Sequence, residues 1–320
     1  MSGNLTAGKE DMIADGWSGM NGFIANSGSE KWGIIEPTPE KIGEHIARIQ
    51  KIDFPVMEAI RQRVDRLVAS PDVAAKLKAW YPTFCKRPGF SDEYLQTFNL
   101  GHVHLVDTDG KGVESVTKDG VVAEGKEYPL DVLVLSTGFQ STAVGLGDPA
   151  VSNGIKILGR EGRSISDKFQ NHGMATLHGV CSNGYPNLFF PGISQNSASP
   201  SFTFALDSNV THIAQIIRAA EQRAGSKSRP IIEVSIEAEE AWTVEILKRS
   251  AFFAPSMVCT PSYFNLEGDV FKLAADPAQQ LKLGRISTWG GGLNSLSRVL
   301  QEYRDEGSLK GLEITAVAVE

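Results

Sequence analysis

Apolar positions in the first part of the chain recur at helical spacing. Ile42, Ile46 and Ile49 follow Thr38-Pro39, a capping threonine and a proline suited to a first turn. Pro55 predicts a break, after which Val56, Met57, Ile60, Val64, Leu67 and Val68 define a second face. Pro71 opens a third, short helix ending near Trp80. Before these, residues 1–36 are rich in Gly, Asn and Ser and read as an irregular lead-in anchored by Trp17, Phe23 and Trp32. From residue 102 the pattern changes to that of strands. His102–Asp107 is one, and Gly112–Glu124 holds two around Lys118-Asp119-Gly120, a hairpin signal. Asp131–Leu135 is continuously apolar after its aspartate, as in a strand covered on both faces, and runs into the tight turn Ser136-Thr137-Gly138-Phe139. Gly154–Leu158, Thr176–Val180 and Asn187–Phe190 are further strand-like runs. Phe202–Ala224 is a long helix with basic residues in its last turns, Ile231–Val234 a short strand, and Ser235 caps a helix to Ser250. After a loop-rich stretch over 253–291, Leu293–Tyr303 is a last amphipathic helix. The pattern divides the chain into an irregular and helical segment, 1–100, and a mixed α/β core, 101–320. The fold class expected is α/β (α+β).

Composition narrows what such a fold does. Of 320 residues, 41% are hydrophobic and 22% charged, as in ordinary globular domains. A net charge of −7 speaks against nucleic-acid binding, which needs a basic face. No apolar run approaches the roughly 20 residues of a membrane span, and MSGNLTAGKEDM has no apolar signal core, so a cytoplasmic location is expected. Cys85, Cys181 and Cys259 lie far apart without a C-x-x-C, which predicts reduced thiols, no disulfide and no structural zinc. The histidines show no metal-ligand spacing. Gly145-x-Gly147-x-x-Ala150 fits a dinucleotide pattern formally, but Pro149 sits inside it and no strand runs into it, so it is not read as a phosphate loop.

The segment PGISQNSASPSFTF, 191–204, sets Gln195, Asn196, Ser197, Ser199, Ser201 and Thr203 beside Phe202 and Phe204. Polar groups converging beside aromatics orient an apolar ligand in a pocket. The same letters also describe a solvated serine-rich loop with Ser199 or Ser201 as helix cap. Trp289, in a Trp-Gly-Gly turn, is either core or a pocket wall.

Longer motifs then carry a resemblance. YPTFCKRPGFSDEYL over 81–95, Phe98-Asn99, Val103-x-Leu105-Val106-Asp107 and Ser136-Thr137-Gly138-Phe139 resemble Baeyer–Villiger monooxygenases. So do Thr176-Leu177-His178-Gly179, Asn187-Leu188-Phe189-Phe190-Pro191-Gly192, Glu239-Glu240-Ala241-Trp242, Cys259-Thr260-Pro261-x-Tyr263-x-Asn265-x-Glu267-Gly268 and Trp289-Gly290. The resemblance runs from about Asp15 to about Leu312 and is nearest the subgroup acting on large cyclic and steroid-like ketones. It implies the remnant of a two-dinucleotide-binding-domain flavoprotein fold, with loops 191–204 and 259–268 and the turn 288–293 facing substrate. The first G-x-G-x-x-G for FAD, the F-x-G-x-x-x-H-x-x-x-W fingerprint and a glycine-rich NADPH turn are not in these 320 residues. The expectation drawn from this is a cofactor-independent enzyme of secondary metabolism on a truncated scaffold. It would be a cyclase, isomerase or lyase, a Diels–Alderase among them, acting on a hydrophobic terpenoid or polyketide. Gln195, Ser197 and Thr203 are its expected catalytic donors, and Asn196, Phe202, Phe204, Tyr263, Asn265 and Trp289 its substrate contacts. The alternatives are a flavin monooxygenase half whose FAD and NADPH sites come with a partner chain, and a non-catalytic binding homologue. The apolar strand at Asp131–Leu135 needs cover, from the lead-in 1–36, from the helices of 39–80, or from a second copy in a homodimer.

Overall fold

Capping residues place the helices. In a computed structural model describing residues 12, 15–138 and 147–318, the Phe202–Ala224 helix ends at Gly225, whose φ of 82° suits glycine. The Ile236–Ser250 helix begins where the Ser235 side chain accepts from the Ala238 N–H. Leu293–Glu306 forms the last helix and ends at Gly307, in the left-handed region. Pro39–Leu67 is one helix of 29 residues, running through Pro55 rather than breaking there. A proline removes only one N–H from the ladder, and the apolar residues on either side keep the helix in place.

The chain divides into two compact units. One comprises residues 1–54, 81–87 and 141–320, the other 55–80 and 88–140, so both draw on residues either side of position 100. In the first unit, Ser228–Val234 pairs antiparallel with Leu312–Ala318, with Val234 opposite Leu312. The Phe202–Ala224 helix lies on this ribbon through Ile216 and Ala220, which pack with Leu177, Val180, Ile232, Val234 and Leu309. Trp242, Ile246, Trp289, Leu296 and Leu300 form another cluster between the Ile236–Ser250 and Leu293–Glu306 helices. Full burial of such side chains stabilises by roughly 1.5–3 kcal/mol each.

A third cluster, of Ile49, Phe84, Cys85 and Cys259, corrects the thiol expectation: Cys85 and Cys259 are joined in a disulfide across 174 residues of sequence. Only the folded chain brings them together, and spacing carries no signal of it. Cys181 is free and buried.

In the second unit, Ser115–Val116, Gly120–Ala123 and Lys126–Pro129 form a three-stranded antiparallel sheet, so the Asp119-Gly120 hairpin stands. Val64, Val68, Ala74 and Leu95 make its helical core. Other strand expectations fail. Residues 102–107, 131–135 and 187–190 have no strand partner among the described residues, and 154–158 and 176–180 reach only isolated bridges, Leu158↔Ser164 and Leu177↔Cys181. The apolar run is bare: Val132, Leu133, Val134 and Leu135 are 75%, 48%, 77% and 75% exposed. Among the described residues no strand partner covers it. Phe139 and Gly145 lie outside the described residues.

Candidate active site

The loop 191–204 is held from inside the first unit. Gln195 takes a positive φ of 55° and is fully buried. Its Oε1 accepts from the Thr176 N–H (3.1 Å) and hydroxyl (2.6 Å). Its Nε2 donates to the Met174 and Arg285 carbonyls, at 3.0 and 2.8 Å, with the Thr243 hydroxyl at 3.2 Å. The Trp242 indole donates to its carbonyl at 2.9 Å. Asn196, also fully buried, donates from Nδ2 to the His178 carbonyl (2.7 Å) and accepts from the Ser197 N–H (2.8 Å). At Gly179, φ 75°, a Cβ would lie 2.9 Å from the Asn196 Cβ and from the Ser194 carbonyl, so only glycine allows the two turns to meet. Gln195 therefore has no N–H left for a substrate, and Asn196 and Ser197 lie beneath the surface with it.

Aromatic groups, not these amides, reach the surface. Phe202, Phe204 and Tyr263 are 47%, 51% and 36% exposed, and Thr203 stands between the two phenylalanines in the first turn of the Phe202–Ala224 helix. That helix end has no side-chain cap at Ser201 and no acidic residue in its first turn. It presents the positive pole of a 23-residue helix. Trp289 is core: it stacks on Trp242 with centroids 5.1 Å apart, Arg249 lies 3.9 Å over its ring, and its Nε1 donates to Ser295. Asn265 shapes its own loop, accepting from the Ser262 and Gly268 N–H groups and donating to the Cys259 and Thr260 carbonyls. The loop is tied to residues 85–86 by the disulfide, by Ser262 Oγ donating to the Cys85 carbonyl (2.9 Å) and by Lys86 donating to the Pro261 carbonyl (2.6 Å).

Sequence reasoning did not bring His212 to His178, and the two form a buried pair. His178 Nδ1 and His212 Nε2 are 3.0 Å apart, walled by Trp242 and Tyr303. Burial pulls both pKa values down, His178 with help from His212, and His212 to about 4 with help from Arg304. A histidine depressed on folding lends stability that is present above its unfolded pKa of 6.5 and lost as pH falls toward the folded value. Acidification from pH 7.5 to 4.5 should therefore remove about 3 kcal/mol through His212. In urea titrations at the two pH values, His212→Gln should flatten that loss; an unchanged loss would place its origin elsewhere.

These groups suit FAD only in part. The described residues hold no glycine-rich strand–turn–helix for its pyrophosphate, so they fit only the ring side: an uncapped helix amino end with apolar neighbours suits an electron-rich heterocycle.

The fold is that of solved flavoprotein monooxygenases. No protein-family model matches the chain. It is similar to the polycyclic ketone monooxygenase of Thermothelomyces thermophilus, 53% identical over 311 residues, 97% of this chain and 47% of that protein. The solved structure of the polycyclic ketone monooxygenase from this thermophilic fungus matches with a TM-score of 0.93 at 52% identity, over 98% of this chain and 48% of the other. An FAD-binding monooxygenase of Penicillium brasilianum is 41% identical over 97% of this chain and 46% of its own. A Baeyer–Villiger monooxygenase of Stachybotrys chlorohalonatus is 36% identical over 95% and 46%. The homologues of this chain are thus Baeyer–Villiger and FAD-binding monooxygenases, and the match is consistent with their C-terminal half. The chain spans about half the length of these relatives. The expectation of no cofactor is overturned, since relatives along nearly the whole chain are named for FAD.

Proposed function

We propose that this chain is the substrate-facing half of an FAD-dependent Baeyer–Villiger monooxygenase for a bulky, apolar cyclic ketone. The FAD- and NADPH-binding part comes from polypeptide outside these 320 residues. This reading replaces the cofactor-independent cyclase. The observation that carries it is the bare run Val132–Leu135, a β-forming sequence with no partner strand among the described residues, in a chain matching half of longer relatives. FAD, when bound, supplies the redox chemistry that activates oxygen. This chain's own residues bind and orient. Phe202, Phe204 and Tyr263 offer apolar surface to fused rings, and Thr203 offers a hydroxyl beside them. The helix amino end favours electron density building on a nearby oxygen. Gln195, Asn196 and Asn265 keep the two loops in shape from below.

The test combines the chain with the part of the Thermothelomyces enzyme that it does not match. Alone the chain should be colourless and inactive. The pair should co-purify yellow and turn a polycyclic ketone into its lactone with NADPH. Phe202→Ala with Phe204→Ala should raise KM at least tenfold with flavin retained. A pair that holds no flavin, or turnover by the chain alone in flavin-free buffer, would overturn the reading. A homodimer covering the bare run without the second part, seen by light scattering, would count against it as well.

A further inference from the structure

The far end of the Phe202–Ala224 helix carries a separate feature. Between its last turns and the end of the Leu293–Glu306 helix lies a cavity of about 310 Å³. It is roughly 20 Å along the helix from Phe204, at about 1.5 Å per residue. Its floor is apolar, with Ile216 and Leu309 buried and Ala219 beside them. Its rim is polar and cationic, formed by Gln215, Arg218, Gln222 and Arg304. The Arg304 guanidinium donates from Nη2 to Gln301 at 2.6 Å, while its buried Nε and Nη1 have no partner. The Nδ1 of buried His212, which lies in the field of Arg304, has none either. Buried donors are nearly always satisfied, and a guanidinium cannot shed its charge to escape the cost.

Nearby charges leave that demand standing. Asp305 accepts from Gln301 and Glu306 from Ser308, and neither forms an ion pair with Arg304 among the described residues, though the Asp305 charge acts on it. Arg223 covers the Gly307 carbonyl at 2.8 Å, offsetting the negative end of the Leu293–Glu306 helix. Arg218 has no ion pair among the described residues.

We propose that this cavity binds a small amphipathic carboxylate, its apolar body on Ile216, Ala219 and Leu309 and its carboxylate on Arg304 and Arg218. The volume suits a compact acid rather than a long-chain lipid. The site is independent of the oxygenation reading. Calorimetric titration of the full chain with hexanoate, hexanol and inorganic phosphate tests it. Hexanoate should bind at least tenfold more tightly than hexanol, and phosphate should not compete. Arg304→Met should weaken hexanoate at least tenfold while leaving hexanol unchanged. Ala219→Phe, which fills the floor, should abolish hexanoate binding with the circular dichroism of the chain intact, and serves if the Arg304 variant does not fold. Equal affinity for hexanoate and hexanol, phosphate binding as tight as hexanoate, or no binding of any probe would each overturn the proposal.

Discussion

Cys259→Ser, or reduction of the intact chain, should lower the unfolding free energy by up to about 5 kcal/mol, the chain-entropy expectation for a closed loop of this length. The bridge joins residues 174 apart in sequence, so the unfolded chain it constrains is long. Both sulfurs are buried with Ile49 and Phe84, so the folded state gives up little to hold them. The two remaining ties, Ser262 to the Cys85 carbonyl and Lys86 to the Pro261 carbonyl, keep the loop near its place but are single hydrogen bonds of about 1 kcal/mol each. The loop 259–268 should therefore exchange amide hydrogens faster after reduction, and Tyr263, which it presents, should lose its fixed setting. Denaturant midpoints with and without a phosphine reductant measure the first effect, and hydrogen exchange the second. Unchanged midpoints would mean that packing alone secures this junction.

What the sequence made legible follows from how local each signal is. The Phe202–Ala224 and Ile236–Ser250 helices carry their caps and stops in their own residues, Gly225 and Ser235, and the hairpin carries its turn in Asp119-Gly120. The Leu312–Ala318 strand went unseen because it alternates only partly and finds its mate at Ser228–Val234, far back in the chain. The disulfide is non-local in the same way. Val132–Leu135 shows the opposite case: its letters specify a covered strand, yet a strand exists only with partners. In the site, polarity pointed to Gln195, Asn196 and Ser197 as donors to a ligand. The direction in which a polar side chain points is not written in its letter. The positive φ of Gln195 and the glycine contact at 179 turn those groups inward, where their hydrogen bonds are all with the protein. The aromatic neighbours, Phe202 and Phe204, were the legible part that faces outward.

Lys168→Met should cost about 3–5 kcal/mol near pH 7.5, the usual consequence of leaving a buried charge without its partner. Lys168 Nζ lies 2.8 and 2.9 Å from the two carboxylate oxygens of Glu239 and also donates to Ser182 and the Asn183 carbonyl. Glu239 is buried, and burial raises its pKa against the opposing pull of Lys168 and of the hydrogen bonds from Asn183 and Ser182. Removing the lysine lets burial act with less opposition, so the folded pKa climbs further above the unfolded value of 4.5. A carboxyl whose pKa is raised on folding favours the folded state below its unfolded pKa, and that contribution is lost as pH rises through the folded pKa. The difference between the variant and the parent chain should therefore be large at pH 7.5 and smaller at pH 5, where Glu239 takes up a proton. Adding Glu239→Gln removes the charge while keeping an acceptor for the Asn183 N–H, and the double variant should recover most of the loss at pH 7.5. Urea titrations of the three chains at both pH values decide it. A loss equal at the two pH values and not relieved by Glu239→Gln would mean that the packing of the Lys168 stem, rather than its charge, holds this part of the core.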